Sequence, residues 1–214
     1  TDFRRKCWVD FSLDGMSKAA AINKLGDYSN YPDRVYKSGM EYSKYGLGGL
    51  SLKFRNAAGK ADVKYDAWCV SVPLMRVEEM KLIEAEAAGM QDEARGKALL
   101  EAFAKTRDPQ YVYGKHTDAY YNASTSLFQN EVWWQRRVEL WGEGFATFDI
   151  KRLNKGIIRS YAGTNHLENA RWNTKELPNW MVWAFVGTES DNNGGMTRNP
   201  DPVQPAADSD PYVF

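Results

Sequence analysis

The sequence predicts a mainly α-helical protein with extensive irregular loops and a few short strands. Three observations carry this. Between residues 73 and 154, apolar side chains recur every three to four positions. Residues that start and stop helices bracket those runs. The flanking stretches, 1–72 and 155–214, are rich in Gly, Ser, Asn, Pro and Tyr and show little sustained period.

Within residues 1–72, GMSKAAAINKL (Gly15 to Leu25) predicts a short helix, and SLKF, with Leu50, Leu52 and Phe54 alternating, predicts a short strand. YGLGG (Tyr45 to Gly49) lacks the GK[ST] of a phosphate loop, so it is read as a plain turn. From residue 73 the character changes. Pro73 suits the first position of a helix, and LMRVEEMKLIEAEAAG runs from it to Gly89, read as the terminator. Val77, Met80, Ile83 and Ala87 form its expected buried stripe, and Arg76–Glu79 and Lys81–Glu84 its expected surface ion pairs.

Asp92 then caps a second helix, EARGKALLEAFAKTR, with an expected stripe of Ala94, Ala98, Leu99, Ala102 and Phe103. So short a connection demands an antiparallel helical hairpin. Its facing alanines, with Phe103 and Pro109 at the end, make it tetratricopeptide-like, although no second copy of the unit is present. DPQYVYGKHTDAYYNAS (Asp108 to Ser124) is a loop carrying four tyrosines. Ser126 opens a third helix with a capping box completed by Gln129. The closing tail is irregular apart from an expected strand, WMVWAFV (Trp180 to Val186).

The third helix opens into WWQRRVELWGEGFATFDIKRL (Trp133 to Leu153), which holds three tryptophans and seven charged residues. On a helix, Trp134, Val138, Trp141 and Phe145 share one stripe, and Trp133, Arg137 and Leu140 the next, wide enough to bury against the hairpin. Arg136–Glu139 and Asp149–Arg152 are then expected as ion pairs facing away from that stripe. Gly142 and Gly144 break the helix, and FATFDIKRL restarts it. Glu139 and Glu143 also have the separation of a carboxylate pair on one helix, the raw material of glycoside hydrolysis. Arginines within reach would lower both pKa values, the wrong direction for a general acid, so the ion-pair reading is preferred.

Composition narrows the function. Lys+Arg and Asp+Glu both number 28, so the formal charge is zero and nucleic acid lacks the basic excess it requires. No apolar run reaches the length of about 20 residues that spans a bilayer, and mean hydropathy is −0.60. The two histidines, His116 and His166, have no zinc-site spacing, and no cofactor motif is present. Cys7 and Cys69 are read as two buried thiols or a single bridge. Aromatic residues make up 14%, a content that suits both a core and a ligand platform.

Two motifs in order, R-x-x-E-M-x-L-I-x-A-E-A (Arg76 to Ala87) and then R-R-x-E-L-W-G-E-G (Arg136 to Gly144) with F-D-I-K-R-L (Phe148 to Leu153), resemble the C-terminal part of the SusD/RagB family. NKGIIRSYAGTNH, LPNWMVW and TESDNN resemble its closing region, so that the likeness spans roughly residues 70–195. The sequence departs from the family pattern at Gln135, commonly Glu, at Ala146, often Arg, and at Phe185–Val186, usually Ile-Pro.

The resemblance implies a SusD-like fold and a non-enzymatic lipoprotein on the extracellular face of the outer membrane. Such a protein captures poly- or oligosaccharide, or in some cases peptide, for a SusC-like TonB-dependent transporter. It also implies that this chain is the C-terminal portion of a longer protein: an irregular part (1–72), a helical scaffold (73–154) and a closing tail (155–214). The lipid anchor would then belong to the missing N-terminal part. A helical-repeat module that binds only another protein is the remaining alternative.

The family motifs are scaffold and carry no binding residue over. Candidates come from chemistry, since sugar rings stack apolar C–H faces on aromatics and offer hydroxyls to planar polar groups. On that ground Tyr28, Tyr31, Arg34 and Tyr36 form one loop cluster, and Tyr111, Tyr113, Tyr120, Tyr121 and Asn122 another.

Overall fold

A computed structural model describes residues 1–4, 8–9, 17–26, 50–51, 53, 73–116, 125–164, 166–199, 206–207 and 210–213. These residues are mainly helical, in two compact units. One comprises Thr1–Ala87 with Ala94–Val112, the other Ala88–Glu93 with Tyr113–Phe214. The boundary passes through the tip of the predicted hairpin.

In the first unit, α1 (Lys18–Gly26) falls where the first helix is expected, and Ser17 Oγ accepts the Ala20 N–H at its start. The strand expectation holds for Leu50–Ser51 (β2), which pairs antiparallel with Trp8–Val9 (β1). Leu52, Phe54, the YGLGG turn, Cys7 and Cys69 lie outside the described residues.

The hairpin is present: α2 (Val77–Gln91) and α3 (Glu93–Arg107) are joined by Asp92 alone. Arg107, at the end of α3, pairs with Glu78, at the start of α2, at 3.1 Å, as an antiparallel arrangement requires. Three details differ from expectation. First, α2 begins four residues after Pro73, where the Arg76 carbonyl accepts the Glu79 and Met80 N–H groups. Second, the buried faces are Leu82, Ala85 and Ala88 on α2 and Gly96, Leu100, Phe103 and Ala104 on α3. Val77, at 66% exposure, Met80, Ile83, Ala87, Ala94, Ala98 and Ala102 lie outward instead. Both helices carry two apolar stripes of the same period, and an alanine fits either side, so period alone could not choose between them. Third, Arg76 pairs with Glu78 (3.2 Å) rather than Glu79, and Lys81 and Glu84 form no ion pair among the described residues.

Gly89 overturns its reading as a terminator, because the helix passes straight through it to Gln91. In the second unit a Cβ on Gly89 would stand 2.1 Å from Phe128 Cε1 and 2.2 Å from Cζ. The missing side chain makes room for a buried phenyl ring.

Phe128 belongs to α4 (Leu127–Glu139), which starts with the predicted capping box: Ser126 Oγ accepts the Gln129 N–H at 3.1 Å, and Gln129 Oε1 accepts the Ser126 N–H at 3.3 Å. Gly142 (φ 75°) and Gly144 (φ 90°) occupy the left-handed conformation that lets the chain turn into α5 (Phe145–Arg152).

Here the expected partition of the tryptophan segment holds only in part: Trp133 and Leu140 are buried as expected, but so are several polar and charged side chains. Glu131, Gln135, Arg136, Glu139 and Asp149 are buried, while Trp134 and Val138 are half-buried and Trp141 is exposed. Arg136 pairs with Asp149 (2.8 Å) and not with Glu139, and Asp149 also takes Arg152 (2.8 Å), as predicted. A buried carboxylate shared by two guanidiniums compensates its own desolvation, which a bare apolar count does not anticipate. Trp133 does enter the core, with Leu153 and Ile158, and its ring meets both the Arg137 guanidinium (4.6 Å) and the buried Lys155 ammonium (4.9 Å).

The tail is irregular but tied down. Residues 157–160 run antiparallel to 171–174 around the Ile158–Asn173 bridge. The Asn173 amide accepts from the Arg159 and Ser160 N–H groups and donates to the Ser160 and Asp210 carbonyls, all within 2.9–3.0 Å. The expected strand at Trp180 to Val186 is absent. A 3-10 turn, Asn179–Met181, stands there, followed by extended chain and a short α6 (Gly187–Asn192). Val182, Trp183, Ala184, Phe185 and Val186 find no partner strand among the described residues, so their β-propensity has no ladder to join.

Candidate functional site

The best-built feature in either cluster of candidates is the start of the second aromatic loop, in the second unit. Glu131 and Trp134 stand three residues apart and so share one face of α4. The Glu131 side chain is fully buried, and its carboxylate gathers the loop. Oε1 accepts the Gly114 N–H (2.8 Å) and the His116 N–H (2.9 Å), and Oε2 meets His116 Nδ1 (2.9 Å). Gly114 has φ 91°, a conformation that lets N–H groups two residues apart converge on one oxygen. The His116 ring then lies on Trp134, centroids 4.1 Å apart and planes 11° from parallel. The Arg137 guanidinium extends this layered face at 5.9 Å from the Trp134 ring.

The face offers flat aromatic rings with polar edges, held by a buried anion. That suits recognition more than reaction. Among the described residues, no group of three or more His, Cys, Asp or Glu is placed to hold a metal ion.

Tyr113 opens this loop and is half-buried. Tyr111 lies in the first unit, where its N–H bonds the Asp108 carbonyl (2.9 Å). Tyr120, Tyr121 and Asn122, and the whole cluster of Tyr28, Tyr31, Arg34 and Tyr36, lie outside the described residues. Sequence reading misses Glu131, His116 and Trp134 as a set. The separation of His116 from Glu131 along the chain hides them, although a lone Glu one helical turn before a Trp is an available signal. It also misses Trp183, which is 86% exposed beside exposed Phe185 because the expected strand does not form.

A comparison with protein families decides the kinship: the SusD family matches over residues 2–201. The chain belongs to the SusD family. The match reaches well before residue 70, where the motifs alone show little likeness. No curated protein and no solved structure matches the chain. SusD family proteins are nutrient-binding, outer-membrane-associated lipoproteins, and they bind rather than transform what they take up. No helix among the described residues is long and apolar enough to cross a membrane.

Proposed function

We propose that this SusD family chain captures a poly- or oligosaccharide on the extracellular face of the outer membrane and delivers it, chemically unchanged, to a SusC-like TonB-dependent transporter. Membership in the family over residues 2–201 is the observation that carries the reading. The layered loop face supports it: Glu131 fixes the backbone of the loop that carries Tyr113 and lays His116 on Trp134 of α4. Rigid aromatic planes bind sugar rings at little entropic cost, because the platform is ordered beforehand. Tyr111, Tyr120, Tyr121 and Asn122, and the cluster of Tyr28, Tyr31, Arg34 and Tyr36, stay candidate ligand contacts by residue type alone. Glu139 and Glu143 take no chemical part.

Affinity electrophoresis of the full chain through gels cast with individual polysaccharides tests the reading. Retardation by one glycan class, relieved by Tyr113→Ala and Tyr120→Ala, is the expected result. Free migration in every gel, or release of reducing sugar from any polysaccharide, would refute it.

A further inference from the structure

Between the 3-10 turn at Asn179–Met181 and α6, residues 182–186 stand clear of the rest of their unit. The backbone is extended where it leaves the turn, at Val182 (φ −91°, ψ 129°), and where it enters the helix, at Val186 (φ −61°, ψ 143°). The five residues read Val-Trp-Ala-Phe-Val, with no charge and no proline. Trp183 is 86% exposed, Phe185 52% and Val186 68%, and Ala184 is exposed between them. Soluble proteins ordinarily block an apolar edge of this kind with lysine, proline or a covering element.

The hydrogen bonds of the segment leave one of its sides open. In a pleated strand the N–H and C=O of one residue point to the same side, and those of the next residue to the other. On the side of Trp183 and Phe185, the Asn199 side-chain amide donates to the Trp183 carbonyl (2.7 Å). On the opposite side, Val182 gives its N–H to the Asn179 carbonyl, and the Val186 carbonyl accepts the Glu189 and Ser190 N–H groups. The Val182 carbonyl, both backbone groups of Ala184 and the Val186 N–H have no partner among the described residues.

Those are the groups that an antiparallel copy centred on Ala184 would use. With Ala184 opposite Ala184, the two alanines exchange N–H···O=C bonds, and each Val186 N–H reaches the Val182 carbonyl of the other copy. The Val182 N–H and the Val186 carbonyl, which this register does not require, are the two already bonded within the chain. Side-chain order fits as well. About Ala184 the segment reads alike in both directions, so that Trp183 falls opposite Phe185 and Val182 opposite Val186. The Trp183–Phe185 pairs occupy the non-hydrogen-bonded positions, where cross-strand side chains approach most closely and aromatic pairs stabilise. A two-fold interface demands this reciprocity, residue i meeting j and j meeting i.

We infer that residues 182–186 form a self-pairing strand that joins two copies of this chain, edge to edge and antiparallel about Ala184. The pairing goes beyond glycan capture and does not depend on it. The strand is short, so association is weak and set by concentration.

The test is sedimentation velocity of the full chain from about 5 to about 500 µM, with residue-resolved amide exchange at both ends of that range. A monomer passing to a dimer is expected, with the Ala184 and Val186 amides protected at high concentration and those of Trp183 and Phe185 not. Ala184→Pro removes the central donor, and Phe185→Asp sets an unpaired charge opposite Trp183. Each is expected to weaken the dimer by about tenfold or more with circular dichroism unchanged. The exchange of Trp183→Phe with Phe185→Trp preserves every cross-strand pair and should leave the dimer intact.

A chain that stays monomeric across the range would overturn the pairing. A dimer indifferent to both Ala184→Pro and Phe185→Asp would do the same, because it would be held elsewhere. Protection that appears at Trp183 and Phe185 instead of Ala184 and Val186 would refute the register.

Discussion

Glu131→Ala removes the acceptor for three donors at once. In the folded chain the carboxylate is fully buried and takes the Gly114 N–H, the His116 N–H and His116 Nδ1, at 2.8–2.9 Å. Hydrogen bonds to a charged partner are worth about 1.5–3 kcal/mol each, and two backbone amides lose theirs outright. That sets a ceiling near ~6 kcal/mol for the two amides. The His116 edge of the loop is part-buried, so local opening lets water replace some of the loss, and about 2–4 kcal/mol is the expected net cost. Glu131→Gln keeps an oxygen for the two amides and gives up the charge, for about 1 kcal/mol. Urea denaturation reads the global cost, and hydrogen exchange reads the loop. Amide exchange at Gly114 and His116 should quicken by roughly 30- to 1,000-fold in the alanine variant, and glycan affinity should fall with it. A loss below about 0.5 kcal/mol with unchanged exchange at both amides would show that Glu131 does not hold the loop.

Gly89→Ala would gain about 1 kcal/mol of helix propensity on an open face. Against the Phe128 ring, 2.1 Å away, it should instead cost about 1–3 kcal/mol by chemical denaturation, with the cost reduced in a Phe128→Leu background. Asp149→Ala strands Arg136 in the core and should cost about 3–5 kcal/mol, while Arg152→Ala, half on the surface, costs about 1 or less. His166 has its folded pKa below the unfolded value near 6.5, so between the two the unfolded chain binds more protons. Its contribution to stability is therefore complete above about pH 6.5 and is lost as the pH falls toward the folded value. A denaturation midpoint that declines in that window, and stays flatter in His166→Gln, checks the sign.

Helix starts, stops and breaks are largely legible in the sequence, because they depend on single local residues. The Ser126–Gln129 box, Asp92 between two helices, and the Gly142–Gly144 break all stand where the residues place them. Burial is less legible. Residues such as Val77 and Ile83 have the period of a core stripe yet face outward, because α2 carries two such stripes and tertiary packing selects one. Gly89 reads locally as a stop signal, and only the ring of Phe128, 39 positions along the chain, gives it its real role. The β-propensity of Trp180 to Val186 is correct as local preference and fails for want of a partner strand. Of the candidate site, the loop tyrosines are visible by composition. The anchor is not, since a buried carboxylate such as Glu131 reads in sequence as one more helix-surface charge.

Glycan capture can be checked first by a tryptophan-fluorescence titration of the full chain against a panel of soluble polysaccharides and oligopeptides. Trp134 stacks on His116 in the loop face, and Trp183 stands exposed, so occupancy beside either changes emission. Capture requires a saturable change with one glycan class, abolished in Glu131→Ala and absent with every peptide. A saturable response to peptides alone, with all glycans silent, is incompatible with it.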